Sequence, residues 1–145
     1  MDALIVEDSV VFREVVRSLL CSWFPGLRVC VAGGVEEGHA RYREHAPPLV
    51  LVDIGLPDGS GLDLVRRIKG ESPGTTVAVC TSHDGPAYEE ASRAAGADAF
   101  LAKSALDGKG LGGLVRRALG SRRGEVELLI PPSERGGKTG GKPQP

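Results

Sequence analysis

Aromatic residues are scarce in this chain: 4% of 145 positions, with one Trp, two Tyr and three Phe. A base-stacking platform for single-stranded nucleic acid needs more of them. Charge of one sign is not in excess either. A net charge of −1 supplies no field to gather a polyanion or an anionic membrane. No apolar run approaches the roughly 20 residues of a membrane-spanning helix. The start, Met1-Asp2-Ala3-Leu4, lacks the basic and long apolar segments of an export signal. Cysteine is limited to Cys21, Cys30 and Cys80, an odd number without metal-type spacing, as expected for reduced thiols in a cytoplasmic protein. The remaining composition, 41% hydrophobic and 26% charged, is that of a globular domain long enough to bury one core.

Against that background the run Leu49-Val50-Leu51-Val52-Asp53 stands out, followed by Ile54-Gly55-Leu56-Pro57-Asp58-Gly59-Ser60-Gly61. An apolar run that stops on a carboxylate and then turns through Gly and Pro describes a buried strand delivering an acid to a sheet edge. Taken alone, Asp53 reads more simply as a helix cap or turn residue.

The same pattern recurs along the chain. Leu4-Ile5-Val6 forms a first strand ending on Glu7-Asp8. Ser9 caps a helix to about Trp23, with Phe12, Val15, Val16, Leu19, Leu20 and Trp23 expected on its inner side. Strands are expected at 27–32, 49–52, 76–80 and 99–101, and helices at 35–45, 61–70, 86–95 and 110–119. The strands are short continuous apolar runs, as when both faces of a sheet are covered. Right-handed crossovers then give an α/β fold with a doubly wound, five-stranded parallel sheet. Ligands of such sheets bind at the carboxyl ends of the strands. Glu7, Asp8, Asp53, Thr81 and Lys103 all fall there.

Three carboxylates at one edge cannot all ionise comfortably without a cation. Their hard oxygens suit Mg²⁺ better than zinc. Mg²⁺ is the ion phosphoryl transfer uses, Lys103 adds a fixed positive charge, and Thr81 offers a hydroxyl to a phosphoryl oxygen. Singly, each residue has a plain alternative: Glu7-Asp8 starting a helix, Thr81-Ser82 in a turn, Lys103 snorkelling, Phe100 in the core. Jointly, these residue types at the ends of four strands favour a phosphoryl-transfer site.

The motifs Leu4-Ile5-Val6-Glu7-Asp8-Ser9, Leu51-Val52-Asp53-Ile54-Gly55-Leu56-Pro57 with Gly61, Val79-Cys80-Thr81-Ser82 and Gly96-Ala97-Asp98-Ala99-Phe100-Leu101-Ala102-Lys103 resemble those of response-regulator receiver domains of bacterial two-component signalling. The resemblance covers about residues 2 to 120 and implies a flavodoxin-like (βα)5 fold with strand order 2-1-3-4-5. It implies phosphorylation of Asp53 by a sensor histidine kinase or a histidine phosphotransfer protein. Mg²⁺ would be held by Asp8, Asp53 and the Gly55 carbonyl, with Glu7 acting through water. Thr81 and Phe100 would form the switch pair, and Lys103 would grip the phosphoryl group. Small Ser82 leaves the site open, and His83 is placed to reach over the phosphoryl group and modulate its lifetime. Such a domain catalyses only its own phosphoryl transfer and dephosphorylation.

The family often has Pro after this Lys, whereas Ser104 stands here, so a cis peptide at that bond cannot be assumed and its isomer is left open by the sequence. Lys-Ser resembles receivers joined to helix-turn-helix domains, which leaves a stand-alone receiver or a piece of a longer transcriptional regulator. A phosphorelay intermediate and a phosphorylation-dependent homodimer are compatible with the same motifs. An aspartyl-phosphate phosphatase is disfavoured, because Gly55 occupies the position of the second acid in an Asp-x-Asp motif. Residues 121–145 read as a Gly- and Pro-rich tail or linker remnant, in which Glu125 to Ile130 could pair as a strand or dock on a partner.

Overall fold

The computed structural model describes residues 1–83 and 85–120. The expected tail, including the Glu125–Ile130 segment, lies outside the described residues. The chain alternates β1 (Ala3–Val6), α1 (Val10–Trp23), β2 (Val29–Ala32), α2 (Val35–His45), β3 (Leu49–Val52), α3 (Gly61–Glu71), β4 (Thr76–Thr81), α4 (Pro86–Ala95), β5 (Ala99–Ala102) and α5 (Gly108–Ala118). The five labelled strands form one parallel sheet in the order β2-β1-β3-β4-β5. This is the flavodoxin-like receiver arrangement expected from the sequence.

Period-two alternation places each strand residue on one of two cores. Ala3, Ile5, Leu49, Leu51 and Ala78 meet Val16, Leu20 and Phe24 of the α1 side and Leu111 and Val115 of α5. Leu4, Val6, Val50, Val52, Val77 and Val79 meet Leu64, Val65 and Ile68 of α3 and Val35 and Tyr42 of α2. Both faces are covered, which is why the strands carry no polar interior position.

Several boundaries differ from expectation. β2 begins at Val29, not at 27: Leu27 is buried from a turn in which its N–H donates to the Phe24 carbonyl. Val15 lies on the outer side of α1 with Val11, one turn away, because the inward stripe is centred on Val16 and Leu20. α5 starts at Gly108, two residues early, since Asp107 caps it by accepting from the Gly110 N–H at 2.8 Å. Gly55–Leu56 and Gly59–Ser60 pair as a two-stranded antiparallel clip around Pro57-Asp58, which the Gly/Pro turn signal did not resolve. Every described peptide bond is trans, including Lys103–Ser104, and Lys103–Ala105 forms one 3₁₀ turn.

That clip does long-range work. α2 follows Gly34, which offers no side-chain cap. Asp58 supplies the cap instead, accepting from Val35 N–H at 2.7 Å and Glu36 N–H at 3.0 Å. The Glu36 and Val35 N–H groups hold its carboxyl below the usual range. A carboxyl depressed in the folded state stabilises at pH above its unfolded value of 3.8 and ceases to do so as pH falls through the lower folded value. Asp58→Ala is expected to lower amide protection at Val35 and Glu36 at neutral pH. Wild-type protection there, corrected for intrinsic exchange, should fall toward the mutant's level only on acidification below 3.8. Equal protection in both proteins at pH 7 would show that the cap does not act.

Candidate functional site

The strand ends converge as the parallel register requires. Val6 pairs with Ala32 and Val52, and β4 runs on past Val52's partner Val79 to Thr81, opposite Ala102. The residues immediately after Val6, Val52 and Ala102 are therefore brought to one edge: Glu7 and Asp8, Asp53, and Lys103.

Glu7, Asp8 and Asp53 each offer a carboxylate oxygen within 4.8 Å of the other two. Their surroundings differ sharply. Glu7 and Asp53 are buried, whereas Asp8 is exposed. Lys103 Nζ lies 2.7 Å from Glu7 Oε1 and 3.2 Å from Asp53 Oδ2, and its side chain is half-buried. The same ammonium sits 4.3 Å above the Phe12 ring, a cation–π contact made inside the site. Glu7 Oε2 accepts the Ser9 N–H at 2.9 Å. Both Glu7 oxygens are thus engaged, and Asp8 makes no hydrogen bond or ion pair among the described residues.

Burial pushes the Glu7 carboxyl up from its ordinary value. Hydrogen bonds from Lys103 and Ser9 pull it back, and the charge of Asp53 adds to the rise. For Lys103, burial lowers the ammonium's pKa but is outweighed by hydrogen bonds to Glu7 and Asp53, so the group stays protonated above its usual range. Three carboxylates against one ammonium leave a surplus of negative charge at the edge. The donors fit a hard divalent cation: all are carboxylate oxygens, two are fixed by packing, and one is exposed with its lone pairs free. Beneath them Cys80 is a buried neighbour whose thiol is pushed up to about 12 by burial, an inert position.

Thr81 is fully buried at the end of β4, its Oγ1 accepting the His83 N–H at 3.1 Å. Phe100 is half-buried and packs against the same core as Val77 and Val79, so the two residues occupy one face of neighbouring strands. Ser82 is exposed. The His83 ring turns back over the clip: Nε2 would lie 3.7 Å from a Cβ placed on Gly55, and the ring centroid is 5.4 Å from that of Tyr88. Glu7, Asp8, Asp53, Gly55, Thr81, Ser82, His83 and Lys103 therefore lie at or beside this edge, and Phe100 sits one step down β5, opposite Val79. The sequence gives no sign of the part played by Phe12 or Arg13, and shows Gly61 only as a member of a motif. Phe12 reads as core, yet its ring lies beneath the Lys103 ammonium. Arg13 Nη1 donates to the Glu7 carbonyl at 3.2 Å. Gly61 sits so close to Asp53 that an added Cβ would lie 1.9 Å from its carbonyl oxygen.

Comparison with known proteins agrees with this geometry. The family model described as response regulator receiver domain matches residues 3–111. The probable transcriptional regulatory protein TcrX of Mycobacterium tuberculosis is 33% identical over 69% of this chain and 42% of its own. The KDP operon transcriptional regulatory protein KdpE of Escherichia coli is 32% identical over 70% of this chain and 44% of its own. The chain thus matches less than half the length of these relatives. Among solved structures, a CheY-like receiver domain protein from Methanospirillum hungatei superposes with a TM-score of 0.74 at 27% identity, over 86% of this chain and 97% of its own. The receiver domain of NtrX from Brucella abortus gives 0.73 at 28% identity, over 83% and 99%. With five strands in the same order and an acid cluster at their carboxyl ends, the chain belongs to the response-regulator receiver domains.

Proposed function

We propose that this domain accepts a phosphoryl group on Asp53 from a partner histidine kinase or histidine phosphotransfer protein and alters a partner surface in response. The observation that carries the reading is the placement of Asp53, buried, within 4.8 Å of two further carboxylates and 3.2 Å from the Lys103 ammonium. In the transfer an Asp53 oxygen forms a bond to phosphorus as the P–N bond of the donor's phosphohistidine breaks, and the imidazole departs with the electron pair. Lys103, already aimed at Asp53, neutralises an oxygen of the arriving group. Phe12 and Glu7 keep that ammonium in place.

Asp8, Asp53 and the Gly55 carbonyl would hold Mg²⁺ directly, and Glu7 would do so through water. When bound, the ion supplies charge neutralisation that lets a phosphate dianion approach the acids. Because Glu7 already spends both oxygens on Lys103 and Ser9, its loss should weaken the ion less than loss of Asp8. In a Mg²⁺ titration Asp8→Ala is expected to shift the midpoint further than Glu7→Gln. The reverse order would overturn this division of labour.

Thr81 and Phe100 form the switch: the hydroxyl exchanges its His83 partner for a phosphoryl oxygen, and Phe100 follows on the same face. Ser82 leaves the entrance open, and His83, lying over Gly55, positions or excludes the water that ends the phosphorylated state. Residues 1–120 form the receiver and 121–145 a tail or linker remnant. The output face is α4, β5 and α5. The test is acetyl phosphate with Mg²⁺, read by amide exchange and oligomeric state. Exchange should change most in residues 82–119 and least in α1 and α2; changes confined to residues 9–45 would place the output elsewhere.

A further inference from the structure

α1 carries an apolar ridge that nothing in the described chain covers. Val10, Val11 and Val15 are 61%, 77% and 45% exposed, and with Glu14, Ser18 and Leu19 they line a shallow groove along the helix. Three exposed valines on one helix face are costly to leave in water and mark a contact surface. Arg13 and Arg17 border the ridge on the Val10 side, about 60° and about 20° from Val10 around the helix. Arg17 meets Glu14 at only 3.5 Å, with its side chain 40% exposed.

The chain itself contains a matching occupant. All four aliphatic residues of positions 121–145 fall together, Val126, Leu128, Leu129 and Ile130, interleaved with Glu125 and Glu127. Their charge is opposite to that of Arg13 and Arg17. α5 packs beside α1, where Leu119 shares one core with Leu20 and Phe24. From Gly120, six residues to Val126 extend to about 20 Å. The 14-residue α1 is itself about 21 Å long. Covalent linkage also raises the effective concentration to the millimolar range, so even a weak apolar contact forms within the molecule.

We infer that the Val126–Ile130 segment docks in cis on the Val10–Val11–Val15 ridge of α1, with Glu125 and Glu127 toward Arg13 and Arg17. The ridge begins two residues after Asp8, so the docked segment flanks the entrance to Asp53. That consequence rests on the phosphoacceptor reading, while the docking itself does not.

The test is methyl NMR on the full 145-residue chain. Cross-relaxation is expected between Leu128, Leu129 or Ile130 methyls and those of Val11 and Val15. It should be lost, with shifts at all three ridge valines, in Leu128→Asp/Leu129→Asp. Val11→Asp should reciprocally sharpen the signals of 126–130. Ridge valines with identical shifts in wild type and the double variant would overturn the proposal. So would ridge contacts that grow with protein concentration, which would assign the surface to a second copy. Acetyl phosphate labelling of the same samples reads the Asp53 assignment separately, since a small donor needs no docking surface.

Discussion

Asp53→Asn is expected to gain no phosphoryl mass from acetyl phosphate and Mg²⁺ under conditions in which the wild-type chain gains one. The substitution keeps the size of the side chain and removes the anionic oxygen that would attack phosphorus. Glu7 cannot take over, because it is buried with Oε1 on Lys103 and Oε2 on the Ser9 N–H. Asp8 is exposed and free of such partners, so it is the one acid that could accept phosphate in place of Asp53. It lacks the Lys103 ammonium, which points to Glu7 and Asp53. Loss of that charge from the transition state costs on the order of 3 kcal/mol or more, a hundredfold or greater fall in rate. Intact-mass spectrometry over the wild-type labelling time distinguishes the outcomes. Normal labelling of Asp53→Asn would remove the central assignment, and slow labelling mapped to Asp8 would identify a secondary acceptor.

The parts of this site legible in the sequence are those fixed by one strand and its end. Continuous apolar runs such as Leu49–Val52 imply a sheet covered on both faces, and a parallel sheet then gathers whatever follows each run. That argument brings Glu7, Asp8, Asp53, Thr81 and Lys103 together without any knowledge of side-chain contacts. Contacts between distant segments carry no local signal. Asp58 caps α2 across 23 positions, and its own neighbourhood, Pro57-Asp58-Gly59, reads only as a turn. Phe12 under Lys103 reads as core because an aromatic on an amphipathic helix usually is core. Val15 reads as inward because a run of Val and Leu blurs which stripe of a helix is buried, and only packing against Ile5 and Leu51 selects Val16. The different roles of Glu7 and Asp8 are likewise invisible in a Glu-Asp dipeptide. They arise just past the end of β1 at Val6, where the first carboxylate is still buried and its neighbour is exposed.

Gly61→Ala should be the most damaging single-methyl change in the chain's described helices, although Ala is the better helix former. At an unstrained helical position Gly→Ala stabilises by about 0.4–1 kcal/mol through the unfolded state. Gly70, near the end of the same helix, is such a position: it is exposed, and a Cβ there meets nothing within 4 Å. At Gly61 the added Cβ would lie 1.9 Å from the Asp53 carbonyl oxygen, 2.8 Å from its carbonyl carbon and 2.9 Å from Val52 Cγ1. Two of these are backbone atoms at the end of a central strand, and no rotamer change relieves them. The start of α3 must therefore move away from β3, breaking the Gly61 N–H bond to the Ile54 carbonyl. Overpacking of this kind costs about 1–3 kcal/mol, more when the backbone has to shift, and so outweighs the gain in propensity. Denaturant unfolding should show Gly61→Ala losing about 3 kcal/mol and Gly70→Ala gaining up to about 1 kcal/mol. Because the displaced atoms belong to Asp53, the first variant should also be labelled more slowly by acetyl phosphate at temperatures where it remains folded. Equal stability of the two alanine variants would mean that α3 tolerates the shift and that Gly61 does not set the position of Asp53.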